Sequence, residues 1–147
     1  MFKNILIPTD GSALSENTVT RAITFAKEIG AQLTFFYAQP DFPLPMFGEG
    51  ALIDPNSPEQ FAKAAEQEAK LILETALAQA KAHGVSAKID TLVSDTPYQA
   101  IIDAAARHSC DLIFMASHGR KGLASLLLGS ETQKVLTHST IPVLVYR

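Results

Sequence analysis

The chain has 147 residues, 47% of them hydrophobic and 18% charged, with a net charge of −3. That length suits one domain spanning 1–147, the composition excludes a disordered chain, and the acidic balance argues against a nucleic-acid-binding surface. No apolar run approaches the roughly 20 residues that cross a bilayer, Met1-Phe2-Lys3-Asn4-Ile5 shows no separate h-region of a signal peptide, and the lone Cys110 leaves no internal disulfide or cysteine-based zinc cluster, which fits the cytoplasm.

Residues 2–8 (FKNILIP) form a short apolar run rich in β-formers and predict a first strand. Ala13–Ile29 carries Val19, Ala22, Ile23, Ala26 and Ile29 at helical spacing, and Gly30 stops it. Residues 33–38 (LTFFYA) are a second continuous apolar run. Residues 41–56 break the rhythm with a proline-containing stretch that also holds Phe42, Leu44, Met46, Phe47, Leu52 and Ile53. It reads as a loop packed on its own domain, a lid over a pocket, or a dimer contact. Ser57-Pro58-Glu59-Gln60 is a capping-box pattern with proline at the first helical position, and the helix it opens runs to His83 before Gly84. Ala87–Val93 alternates with period two. Thr96-Pro97 opens a third helix, apolar at Ala100, Ile101, Ala104 and Ala105. Leu112–Ala116 is again a continuous apolar run. Ser130 opens a fourth helix with Val135 and Leu136 facing inward, and residues 142–146 (PVLVY) close the series. Strands alternating with helices imply an α/β fold with an open, mostly parallel, doubly wound sheet and helices on both faces.

In such sheets ligands bind outside the carboxyl ends of the strands, where the strand order reverses. Two loops therefore matter most, Pro8-Thr9-Asp10-Gly11-Ser12 and Ser117-His118-Gly119-Arg120-Lys121-Gly122, the second followed by Gly129-Ser130 at a helix start. Glycines let backbone amides approach an anion, a helix N-terminus favours negative charge, Ser130 and Thr132 add hydroxyls, and Arg120 and Lys121 add positive charge. These features describe a phosphate cradle, or equally a tight turn, a helix cap and a solvated basic pair. Asp10 suits ribose hydroxyls, a metal ion or the cap of the first helix, with Ser12 as the alternative cap. His118 reads as a turn residue bonded locally, because no nucleophile is paired with it. His83, His108 and His138 lie near helix C-termini, where the dipole favours them, and Cys110 reads as a small core residue. The Walker loop, a G-x-G-x-x-G after the first strand and a G-x-S-x-G elbow are all absent.

Ile5-Leu6-Ile7-Pro8-Thr9-Asp10-Gly11-Ser12, Asp111 through Arg120, Leu128-Gly129-Ser130 and Ile141-Pro142-Val143-Leu144-Val145 together resemble the universal stress protein family over the whole chain. The nucleotide-binding branch of that family carries G-x2-G-x9-G-[ST], matched here by Ala116-x2-Gly119-x9-Gly129-Ser130 with alanine in the first place. The resemblance implies a Rossmann-like, adenine nucleotide alpha-hydrolase-like sheet of five parallel strands in order 3-2-1-4-5. It implies ATP or AMP as ligand, with Mg2+ or Mn2+ beside ATP and Asp10 as a metal ligand. Asp10 would bind the ribose, and the backbone of Ala38 would read the adenine edge. Gly119, Gly129, Ser130 and Thr132 would hold the phosphates, and Pro8, Thr9, Met115, Ala116 and His118 would line the pocket. Glu131 stands where the family often has an apolar residue, and its carboxylate would repel phosphates unless it points outward. The resemblance also implies a homodimer through strand 142–146, whose apolar edge is a pairing template. The functions that follow are a stress-response binding module with an unidentified protein partner, a slow ATPase or autophosphorylating enzyme, or an interaction protein that holds no nucleotide.

Overall fold

A computed structural model describes residues 1–42, 57–119 and 127–147. The elements are β1 (Asn4–Pro8), α1 (Ala13–Ile29), β2 (Gln32–Gln39), α2 (Pro58–Ala82), β3 (Ala87–Val93), α3 (Pro97–Arg107), β4 (Leu112–Ala116), α4 (Ser130–His138) and β5 (Val143–Tyr146). They build a five-stranded sheet in order β3-β2-β1-β4-β5, with every neighbouring pair parallel.

The continuous apolar runs are explained by two buried faces, because successive side chains of a strand point to opposite sides. Ile5, Ile7, Leu33, Phe35, Tyr37, Leu112 and Phe114 pack on one side with Val19, Ala22, Ile23 and Ala26 of α1 and Ala69, Leu73, Ala76 and Ala80 of α2. Leu6, Phe36, Ile113 and Met115 pack on the other side with Ala100, Ile101, Ala104 and Ala105 of α3 and Val135 of α4. Cys110 sits in this second cluster, and burial pushes its thiol up to about 11. The thiolate is therefore suppressed at neutral pH, as a packing role requires.

Several local expectations shift. The first strand begins at Asn4, not Phe2, because the amides of Lys3 and Asn4 go to the Asp111 carboxylate at 2.8 and 3.1 Å. Pro142 precedes β5, where it cannot donate to the ladder but its carbonyl accepts from the Ile113 amide at 3.0 Å. Leu136 is 42% exposed and Ile29 39% exposed, so neither faces inward as expected. Helix α4 buries only Thr132 and Val135, a stripe too narrow to cover Leu136 beside the outermost strand. Ile29 is the last residue of α1, one step before the left-handed cap at Gly30. Residues 43–56, most of the proposed lid or contact segment, lie outside the described residues.

Candidate functional site

The strand order reverses between β1 and β4, so the chain leaves these neighbours in loops that meet. After β1, the Thr9 amide donates to the Phe36 carbonyl at 2.8 Å and keeps the chain beside β2. The Thr9 and Ser15 hydroxyls lie 2.8 Å apart, and Ser15 Oγ accepts from the Asp10 amide at 3.1 Å. Ser12 is the N-cap of α1, its hydroxyl accepting from the Ser15 amide, while Asp10 Oδ1 accepts from the Ser12 amide at 2.9 Å. Asp10 therefore does not cap the helix; its carboxylate sits on the turn that precedes it.

After β4, the Ser117 amide continues the ladder to the Tyr146 carbonyl, and the Gly129 amide donates back to the Ser117 carbonyl, both at 2.8 Å. The Thr132 hydroxyl donates to the Ala116 carbonyl at 3.1 Å. These bonds seat the start of α4 over the end of β4. Two glycines make the fit possible. A Cβ on Gly119 would lie 2.5 Å from Asp10 Oδ2, so the two loops touch at that point. A Cβ on Gly129 would lie 3.0 Å from both Cα and Cβ of His118. Gly129 has an extended backbone with φ −61°, so space rather than conformation demands glycine there.

Gly129 is the N-cap of α4 and has no side chain to cap it. Among the described residues, the amides of Ser130, Glu131 and Thr132 find no acceptor. The first turn of a helix presents such donors, and here that turn follows Gly129, which packs against His118. The fourth helix thus begins where the sequence placed it, with Ser130 exposed as its first residue.

The remaining candidate residues fall in distinct places. The Glu131 carboxylate points away, onto α3, where Oε2 accepts from the Tyr98 amide at 2.8 Å and Oε1 meets Lys134 Nζ at 3.1 Å. The carboxylate therefore meets the condition, pointing outward, that the sequence reading attached to a phosphate at this turn. Thr132 spends its hydroxyl on Ala116, which leaves its backbone amide for the junction. Met115 is buried in the core with Phe36 and Val135. Phe36 turns its carbonyl toward β1, and alternate strand residues orient alike. The backbone groups of Ala38 therefore point the same way, beyond the end of β1 at Pro8. His118 Nδ1 lies 3.0 Å from Ser117 Oγ, the local bond expected of a turn residue. Ser117 is itself 2% exposed, so that pair presents no nucleophile to a ligand. Arg120, Lys121 and Gly122 lie outside the described residues.

Sequence reading missed Ser15 and gave Ser117 no role of its own. Ser15 is buried and fixes the backbone of Asp10 through its hydroxyl. A serine in the first turn of a helix, three residues after a serine cap, is too common to flag this role. Among the described residues no group of three or more His, Cys, Asp or Glu gathers. The histidines at helix C-termini behave as expected. His83 and His138 hold carbonyls of their own helices at 2.8 Å. His108 joins Arg107 on Asp90. A groove of about 350 Å3 between α1 and α2 reaches the loop after β1 at Thr9 and Gly11. A second, of about 420 Å3, is lined by Lys81, Gly84 and Val85 near the other end of the sheet.

The model of the universal stress protein family matches residues 1–147. The universal stress protein MJ0531 of Methanocaldococcus jannaschii is 33% identical over 151 residues, covering 100% of this chain and 83% of its own. The solved structure of MJ0577 from the same organism superposes with a TM-score of 0.81 at 27% identity, over 99% of this chain and 95% of that one. The crystal structure of a universal stress protein in complex with cAMP superposes with a TM-score of 0.71 at 26% identity, over 99% and 97% of the two chains.

Proposed function

Because the chain belongs to the universal stress protein family, we propose that it is a stress-response module, one domain spanning 1–147, that holds AMP or ATP at the carboxyl ends of β1 and β4. The observation that carries this reading is the open first turn of α4. Three amides lack an acceptor among the described residues, and the loops beside them pack so closely that a Cβ on Gly119 or Gly129 would meet Asp10 or His118. A phosphate supplies what such a turn lacks, an anion with several acceptor oxygens. The structural relative in complex with cAMP shows that this fold accepts an adenine nucleotide in another member.

In this reading Gly119, Gly129, Ser130 and the amides of Glu131 and Thr132 receive the phosphates. Asp10 takes the ribose hydroxyls, and the outward backbone of Ala38 meets the adenine edge. Pro8, Thr9, Ala116 and His118 border the ligand, with Met115 beneath. Mg2+ or Mn2+ would ride on the phosphates of ATP with Asp10 as one protein ligand, since such cations combine few carboxylates with substrate oxygens. Strand β5 forms one edge of the sheet with its Val-Leu-Val-Tyr run half-buried, and a second copy pairing along it would make a homodimer.

The test is thermal unfolding with AMP, ATP and cAMP, with and without Mg2+. A ligand at 100 times its dissociation constant stabilises the folded state by about 2.7 kcal/mol. A rise in melting temperature with AMP or ATP supports the reading. An unmoved transition at millimolar nucleotide contradicts it and favours the interaction protein.

A further inference from the structure

We propose that Glu131 is a positioning residue for the phosphate end of this site, fixing the first turn of α4 by closing the first turn of α3. The inference rests on the nucleotide reading above.

Helix α3 lacks a cap of its own. Thr96 is its N-cap residue but makes no side-chain cap bond, and its hydroxyl donates to Asp95 Oδ1 at 3.0 Å instead. Pro97 has no amide hydrogen, and the amides of Gln99 and Ala100 reach the Thr96 carbonyl at 3.1 and 3.2 Å. The amide of Tyr98 is left, and the acceptor that meets it is Glu131 Oε2, 33 positions away in sequence. A carboxylate at a helix N-terminus is favoured both by the dipole and by the charge-assisted bond.

Glu131 thus offers its amide to the junction and its carboxylate to the neighbouring helix. Lys134 secures the arrangement: its Nζ lies 3.1 Å from Glu131 Oε1 and 5.5 Å from the Tyr98 ring centre. The His138 ring packs on Tyr98 at 5.1 Å. Helix α4 has nine residues and buries two, of which Thr132 alone lies in its first turn. The amide of Gly129, the hydroxyl of Thr132 and the carboxylate of Glu131 tie that turn to the end of β4 and to α3.

Length and charge separate this role from simple repulsion. Glu131→Asp keeps the charge but loses the reach; Glu131→Gln loses the charge but keeps an acceptor for Tyr98. We measure the affinities of AMP and adenosine by calorimetry for wild type, Glu131→Asp, Glu131→Gln and Glu131→Ala, after circular dichroism confirms folding. Glu131→Ala and Glu131→Asp should weaken AMP about tenfold, the scale on which lost supporting contacts weaken a bound group. Adenosine affinity should stay unchanged, and Glu131→Gln should hold AMP at nearly the wild-type level. Should Glu131→Ala not fold, Glu131→Asp gives the same comparison. Tighter AMP binding by Glu131→Gln and Glu131→Ala would overturn the proposal in favour of repulsion. Equal loss for AMP and adenosine, or an unchanged ratio in every variant, would overturn it while leaving the nucleotide site standing. Absence of binding by wild type would overturn both.

Discussion

Helix α2 caps its own first turn, whereas among the described residues the first-turn amides of helix α4 find no acceptor. At α2, Ser57 Oγ accepts from the Gln60 amide and Gln60 Oε1 accepts from the Ser57 amide, each at 3.2 Å. Proline at the first helical position removes a further donor. At α4 a glycine stands where the cap would be, and the hydroxyl and carboxylate of its first turn are turned onto β4 and α3. A helix needs its early donors met, so an end without internal acceptors is suited to a ligand that brings them. Among the described residues, the same sheet thus carries one helix whose sequence supplies its cap and one whose first-turn amides find no acceptor.

The largest expected break in this contrast is Gly119→Val. The added side chain meets the Asp10 carboxylate and fills the junction, so AMP binding measured by calorimetry should disappear while the fold is retained; wild-type affinity would remove the site. Next, Val145→Glu places charge on the edge strand β5. Sedimentation should then report a monomer, and because the α4 end belongs to one chain, that monomer should still bind AMP. A persistent dimer would contradict edge pairing. Ser57→Ala opens the first turn of α2 and should cost about 1 kcal/mol in urea unfolding, with AMP affinity unchanged.

The smallest effect lies away from both helix starts, at Asp90. Burial opposes its ionisation, but hydrogen bonds from Arg107 and His108 outweigh that and hold its carboxyl below the usual value of 3.8. A carboxyl lowered in the folded state contributes stability above its unfolded pKa and loses it as pH falls through the folded one. Wild type should therefore lose stability below about pH 4 more steeply than Asp90→Asn. The difference should be under about 1 kcal/mol, the range of exposed ion pairs, and parallel acid curves would contradict it.

What was legible in the sequence was local. The bounds of α1, β3 and β4 and the capping box of α2 follow from spacing, turn residues and side-chain reach within a few positions. The glycines at 119 and 129 also stood out, because a missing side chain is visible in the sequence itself. What stayed hidden depends on partners far along the chain. Asp111 draws the amides of Lys3 and Asn4 and delays β1, and Glu131 reaches Tyr98, so its outward turn could be stated only as a condition. Thr132 looked like a hydroxyl donor for phosphate until β4 supplied the Ala116 carbonyl that takes it. Leu136 looked apolar and inward because periodicity says which residues share a face, not how wide a face the sheet can cover.

The most direct measurement is a nitrogen–proton correlation spectrum recorded during titration with AMP and, separately, with adenosine. The account predicts that AMP moves the amide signals of Gly119, Ser130, Glu131 and Thr132 and leaves those of Gln60 and Phe61 in place, while adenosine leaves the α4 amides unmoved. Saturation with AMP that leaves the first turn of α4 unshifted would contradict it.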